Sequence, residues 1–474
     1  MSEPRAGDVH PRAGTGRPAS GKPVLSALAL LITALALACR QTPSLPKQRP
    51  SPAASRGSAP PAPLATAVRP SCFAWLQRAE LTRPDEQHSD YFGLNVALSE
   101  ETAFVSGGAH FAGAKGRQGA VYTFSRTNAG WVADKAVLSG TASDGDGFGA
   151  AIAAEGNNLL VGAPYAAHRK GVVFSFERSG SRWLRSSVLL MASDGEGESS
   201  AREAASPLDN GDEFGRAIAL AGETAAIGAQ SHRVGSNFSQ GAVYLFARGT
   251  EGWVQNGPPV VAADGGAGDH FGRALALLGD TLLVAAPGHT VDGKEDRGAV
   301  YVFRRTEGSW SQRQMLSAAD GESGDEFGFA FAASGSLAIA GAPTHEAEHR
   351  GAAYVFERHT DRWEQVAVLS PAWGTPEERW GAGVALSSGT ALVAAAPYRA
   401  AVPGSVAAFE PIAGFWVQRG PILQASDGGE YDFFGDGLAV QNGVSLIGAT
   451  GLQRADGKRL GAAYIFERKA CKSE

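Results

Sequence analysis

The chain lacks most of the local signatures by which common enzymes and membrane proteins announce themselves. Its 474 residues hold 3 cysteines and no C-x-x-C pair, so the usual redox and zinc patterns are missing. No G-x-S-x-G elbow and no glycine-rich phosphate loop occurs, which removes two frequent marks of hydrolases and nucleotide binders. There is also no Arg-Gly-Asp tripeptide. The apolar run from Val24 to Ala38 has about 15 residues, short of the roughly 20 that a bilayer span needs. No sustained helical period appears after residue 70, which excludes a coiled coil. The 62 glycines do not follow the collagen period, and a hydrophobic fraction of 43% is too high for a wholly disordered chain.

What is present begins with a leader. Arg5, Arg12, Arg17 and Lys22 precede the apolar run, an arrangement that fits the n- and h-regions of an export signal over residues 1–38. The run ends Leu35-Ala36-Leu37-Ala38-Cys39, which resembles a bacterial lipobox. That resemblance implies cleavage before Cys39 and lipidation of its thiol, hence an outer-membrane lipoprotein of the cell envelope. Ala36-Leu37-Ala38 equally fits ordinary signal cleavage, which would give a secreted protein. Residues 39–70 are rich in Pro, Ala and Ser with no acidic residue and cannot bury a core, so they read as an extended tether. With +2 on residues 1–38 and +5 on 39–70, the total of −6 leaves −13 on the body. An acidic body excludes phosphate-backbone binding, so no nucleic acid is expected. The basic tether suits an anionic membrane surface, or simply keeps the linker in solution.

Residues 71–474 repeat one pattern seven times. Phe-Gly begins at Phe92, Phe148, Phe214, Phe271, Phe327 and Phe434, and Trp380-Gly381 fills the sixth slot, with spacings of 56, 66, 57, 56, 53 and 54. Each copy continues through an alternating apolar segment, a turn, and a segment ending in Gly-Ala-Pro or a relative. Gly-Ala-Val-Tyr-x-Phe and a tryptophan-led segment follow. Four short strand candidates every 55 or so residues predict a blade, and seven blades predict an all-β, seven-bladed propeller of four-stranded antiparallel sheets. Phe-Gly and Gly-Ala-Pro in this order resemble the FG-GAP repeats of integrin-α-like propellers, and more closely a bacterial exported variant. The resemblance covers about 85% of the chain and implies a propeller used for extracellular recognition, without one shared activity.

The C-terminal repeat stops after Tyr464-Ile465-Phe466 without its tryptophan segment, and Trp75 to Leu81 supplies the missing copy at the other end. The N-terminal strand is therefore expected to complete the last blade. Cys72 and Cys471 overlap where that blade's hairpin turn would lie, which predicts a disulfide between them, permitted by export.

Candidate chemistry gathers in the lead-ins. An acidic residue stands two before each aromatic: Asp90, Asp146, Asp212, Asp269, Asp325, Glu378 and Asp432. A second aspartate five residues earlier gives the pairs Asp264 with Asp269, Asp320 with Asp325, Asp427 with Asp432, and Asp85 with Asp90. Such oxygens are candidate Ca²⁺ ligands. The plainer and favoured reading is Asx turns and strand caps, because the integrin calcium loop between the first two strands has no counterpart in Gly222-Glu223, Gly279-Asp280, Gly335-Ser336 or Gly389-Thr390. His345-Glu346-Ala347-Glu348-His349 matches H-E-x-x-H but sits in a short connection with little room for a helix, so it reads as a chance match. The residue after each Phe-Gly varies, and Arg216 and Arg273 are the candidate ligand-binding residues there, with a salt-bridged or solvated arginine as the plainer reading. The segments Met191–Glu213 and Ser231–Gln240 break the repeat and are expected to carry recognition.

These observations predict a non-catalytic recognition or adhesion propeller on a bacterial envelope. It would be monomeric, lipid-anchored, and bound to a protein or surface glycan through its loop face. One alternative is an enzyme acting on polysaccharide or glycoprotein through carboxylates of that face; another is a structural envelope protein.

Overall fold

The computed structural model describes residues 73–84, 91–107, 119–140, 145–197, 211–345, 350–370, 378–395, 402–453 and 460–470. Chain contacts divide the molecule into Met1–Ala67 and Val68–Glu474, and all described residues belong to the second unit. Leader, tether, Cys39, Cys72 and Cys471, Asp85 and Asp90, and Glu346 to His349 lie outside the described residues.

Seven four-stranded antiparallel sheets form a propeller ring. Blade four is the clearest: Leu275–Leu278, Thr281–Ala286, Ala299–Thr306 and Ser309–Leu316, each hydrogen-bonded to the next. The inner strands alternate alanine with larger residues, and the second and third strands are buried on both faces, as strands covered by neighbouring blades must be. Outer strands such as Ser309–Leu316 alternate exposed and partly buried positions. Among the described residues the helical content is a single four-residue turn, Ala166–Arg169, with left-handed backbone at Ala167 and His168.

Each blade is pinned internally by its Phe-Gly aromatic. The Phe271 ring meets Tyr301 at 5.6 Å and Phe303 at 5.9 Å, both edge-on, the arrangement that ring quadrupoles favour. Phe92, Phe148, Phe214, Phe327 and Phe434 likewise meet the two aromatics of their own third strand, edge-on except for the tilted Phe214–Phe246 and Phe434–Tyr464 pairs. Blade six carries Ala407 in the tyrosine slot, and the larger Trp380 indole joins that cluster, its Nε1 donating to Glu378 Oε2 at 2.7 Å.

The two glycine-bearing motifs meet across blade boundaries. A Cβ on the Gly-Ala-Pro glycine would lie 2.1 Å from Gly272 O at Gly228, and 1.8 Å from Gly93 O at Gly448. The glycine that opens each third strand is equally tight against the next Phe-Gly aromatic's carbonyl: 2.2 Å from Phe327 O at Gly298, and 2.3 Å from Phe92 O at Gly461. Contacts of both kinds run from blade seven to blade one, so the ring closes through the same seam it uses elsewhere.

Phe73–Leu81 lies antiparallel to Ala462–Ala470, pairing Trp75 with Arg468 and Phe73 with Ala470. It behaves as an ordinary outer strand. Gln77 Oε1 accepts from Ser426 N at 3.1 Å, as Gln255 does from Ser193, Gln312 from Ala263 and Gln365 from Ala319. In these four blades an outer-strand glutamine thereby holds the lead-in to its own blade.

Candidate functional site

The lead-in aspartates fold back on their own loops. Asp212, Asp269, Asp325 and Asp432 are buried. Asp212 Oδ2 accepts from Glu196 N at 2.7 Å, Asp269 Oδ2 from Gly266 N at 2.8 Å, and Asp325 Oδ2 from Glu322 N at 2.7 Å. These are the turn-capping bonds that the plainer reading expects.

A partner absent from the sequence reading stands opposite three of them. An imidazole twenty residues on meets each carboxylate: His232 Nδ1 at 3.0 Å from Asp212, His289 at 2.8 Å from Asp269, and His345 at 2.7 Å from Asp325. Each ring also stands edge-on to the tyrosine of its third strand, as His289 does to Tyr301 at 5.6 Å. For His289 the hydrogen bond to Asp269 outweighs burial and raises its pKa. For His232 burial is the largest influence and pulls downward, yet the bond to Asp212 and the surrounding acidic charge leave it raised. His345, the first residue of the H-E-x-x-H match, is thus a turn ligand of Asp325, with its Nδ1 committed.

The outer aspartates serve the tyrosines. Tyr464 donates to Asp427 Oδ1 at 2.7 Å and Tyr244 to Asp194 Oδ1 at 2.7 Å. Burial first, and the carboxylate second, push both phenols up, and Tyr301 beside Asp264 shifts the same way. Asp194 is the outer aspartate of blade three. An insertion separates it from Asp212 and hid it from a reading based on spacing. In blade seven Asp432 Oδ1 accepts from Gly404 N at 2.8 Å and Phe434 N at 3.0 Å, and burial raises its pKa.

Four of these carboxylates already have an oxygen engaged, which favours the turn reading over calcium. Asp269 Oδ2 and Asp325 Oδ2 each meet an amide and an imidazole, Asp432 Oδ1 accepts from two amides, and Asp427 Oδ1 accepts from a phenol. Asp264 and Asp320 each lie 3.9 Å from an imidazole nitrogen. Among the described residues no group of three or more His, Cys, Asp or Glu side chains could hold a metal ion.

The two candidate arginines separate. Arg216 is half-buried at the start of blade three. Arg273 lies over the Phe329 ring, 4.7 Å from its centroid, and lines a cleft of about 370 Å³. Gln230 of blade three, His270 and Asp296 of blade four, and Glu326 and Phe329 of blade five also line it. His270 and Glu326 each precede a Phe-Gly and hold left-handed backbone at φ 55. The corresponding Tyr91, Glu213, Arg379 and Phe433 do likewise, so a side chain is presented at a strained position in blade after blade. Several are tied between blades. Glu213 pairs with Arg169 and accepts from Gln230 Nε2 at 2.9 Å, and Glu326 lies 3.9 Å from Arg379. The Ser231–Gln240 segment is less singular than its sequence suggests: its Val234–Asn237 bridge recurs in blade four as Val291–Lys294.

Five segments match the FG-GAP repeat family, residues 75–124, 202–246, 259–303, 310–356 and 416–466, together half of the chain. The chain belongs to the FG-GAP repeat family. Among curated proteins, FG-GAP relatives include mouse (Mus musculus) integrin alpha-2, 34% identical over 106 residues, 19% of this chain and 9% of that protein. Human (Homo sapiens) integrin alpha-E is 34% identical over 113 residues, 20% of this chain and 10% of its own length. The chain spans about a tenth of the length of these curated relatives. A solved structure from Bacteroides uniformis, named for a 6-phosphogluconolactonase, covers 71% of this chain and 86% of its own at 12% identity and a TM-score of 0.45.

Proposed function

We propose that this FG-GAP propeller is a non-catalytic recognition or adhesion module, displayed outside a bacterial envelope through a lipid on Cys39 and binding its partner across the loop face. An integrin-like FG-GAP propeller fits a recognition role at the coarse level. The observation that carries the reading is the cleft. On a scaffold whose seams are nearly invariant, it gathers variable, charged and aromatic side chains from three blades, with His270, Asp296 and Glu326 on left-handed backbone. A purely structural component has no use for such a concavity, which favours recognition. The carboxylate that burial pushes up, Asp432, does not line it, which supports a binding role over acid–base catalysis.

The test uses cells producing the full chain or its Cys39→Ser variant. Wild type is expected to take up palmitate label, to be shaved from intact cells by external protease, and to increase capture of an extracellular-matrix protein or glycan array. The variant should be released or unlabelled. A chain that stays inside the cell without label would overturn the display reading, and labelled, surface-exposed chain that captures nothing would overturn recognition.

A further inference from the structure

The chemistry of the cleft points to one ligand class. Its lining alternates donors and acceptors over a short distance: the Arg273 guanidinium, the His270 imidazole and the Gln230 carboxamide, against the Asp296 and Glu326 carboxylates. A simple anion would face two carboxylates, and a simple cation would face the guanidinium. A polyol is the ligand whose groups both donate and accept, so it can use all of them in turn. Phe329 adds an apolar surface of the sort that the C–H face of a sugar ring covers.

The wall is also held in place before anything binds. Arg273 rests on Phe329, Glu326 is drawn toward Arg379, and Gln230 is tied to Glu213. Fixed donors lose little freedom on binding, which is what a weakly binding, heavily hydrated ligand requires. The volume of about 370 Å³ lies at the small end for ligand pockets and suits one or two rings, not a long chain. We infer that the cleft between blades three, four and five is a saccharide subsite that takes a neutral sugar through Arg273, Glu326 and Phe329. The inference rests on the recognition reading and narrows it.

The test titrates the full chain, by saturation-transfer NMR and calorimetry, with methyl glycosides of glucose, galactose, mannose, N-acetylglucosamine, N-acetylgalactosamine and fucose. Inorganic phosphate and arginine methyl ester serve as charged probes. At least one glycoside is expected to bind more tightly than either charged probe. Glu326→Gln, Arg273→Lys and Phe329→Leu should each weaken it by about fivefold or more, with melting temperature preserved for the isosteric Glu326→Gln. The subsite is overturned if no glycoside binds the folded chain, if a charged probe binds better, or if the three variants leave sugar affinity intact. If cells still capture a partner while these variants change nothing, the subsite falls and the recognition reading stands. Wild-type chain that is displayed but captures nothing would strike the recognition reading itself.

Discussion

In blade four the buried carboxylate of Asp269 meets the His289 imidazole at 2.8 Å, whereas the slot twenty residues after Asp432 in blade seven holds Leu452. The backbone is alike at both places. His289 N donates to Ala286 O at 3.1 Å and Leu452 N to Ala449 O at 3.4 Å, each inside the turn that follows the second strand. The aspartate is thus the common part, a cap for the strand entry, and the histidine is an addition found in blades three, four and five. Those are the blades whose loops meet at the cleft. In blade seven the equivalent carboxylate, Asp432, finds backbone amides and, among the described residues, no cationic side chain, and burial pushes its pKa up. The difference separates what the ring needs from what one part of its face has acquired.

The largest effect should come from breaking what both blades share. Gly228→Val and Gly448→Val each push a side chain into a backbone carbonyl of the next blade and should cost about 3 kcal/mol or more by denaturant unfolding. A mild loss at Gly448 alone would mean that the seam from blade seven to blade one is looser than the rest. Next, Asp269→Asn should lower stability by about 1–2 kcal/mol at pH 6, because the imidazolium of His289 loses its charged acceptor. Asp432→Asn should shift it by less, since it removes a buried charge that has no cationic partner among the described residues; an equal loss would erase the distinction between the blades.

The histidines themselves give a smaller, pH-dependent signal. A pKa raised on folding contributes stability in full below the ordinary value of 6.5 and loses it as pH rises through the folded value. The stability gap between wild type and a His232→Phe, His289→Phe double variant should therefore be widest near pH 6 and narrow toward pH 9. A gap that stays flat would show these pairs to be neutral throughout. The smallest effect is calcium. Replacing it by EDTA should move the melting temperature by no more than about 1 °C, and a large shift would return the lead-in aspartates to metal binding.

Much of this frame was legible in the chain, because its physical demands recur seven times. Gly228 and Gly272 have to be glycine for two backbones to touch, and Phe271, Tyr301 and Phe303 have to be aromatic to fill one layer. Repetition therefore advertises fold. Even the cut in blade seven could be read, since Trp75 to Leu81 is a copy out of place. The site was legible only in fragments. Arg273 stood out at a variable position, but its neighbours Gln230, Asp296 and Phe329 come from loops of three blades, and spacing cannot bring them together. Asp194 was displaced by an insertion. The histidines occupy three slots in connections of unequal composition, where the interval of twenty from aspartate to imidazole was the available signal.

The strand Phe73–Leu81 has a consequence in time. It is synthesised before every other strand of the ring and is paired after them, because its partner Ala462–Ala470 emerges only once all seven inner strands exist. Until then it is an unmated edge, the kind of segment that seeks a neighbour in another molecule. Bringing Trp75 to Arg468 also closes a very long loop, a contact that forms slowly whatever its final strength. The outermost strand of blade seven is therefore where a newly made copy of this protein is most exposed to error, and a permuted chain that joins the two strands by a turn should fold faster and aggregate less at the same final stability.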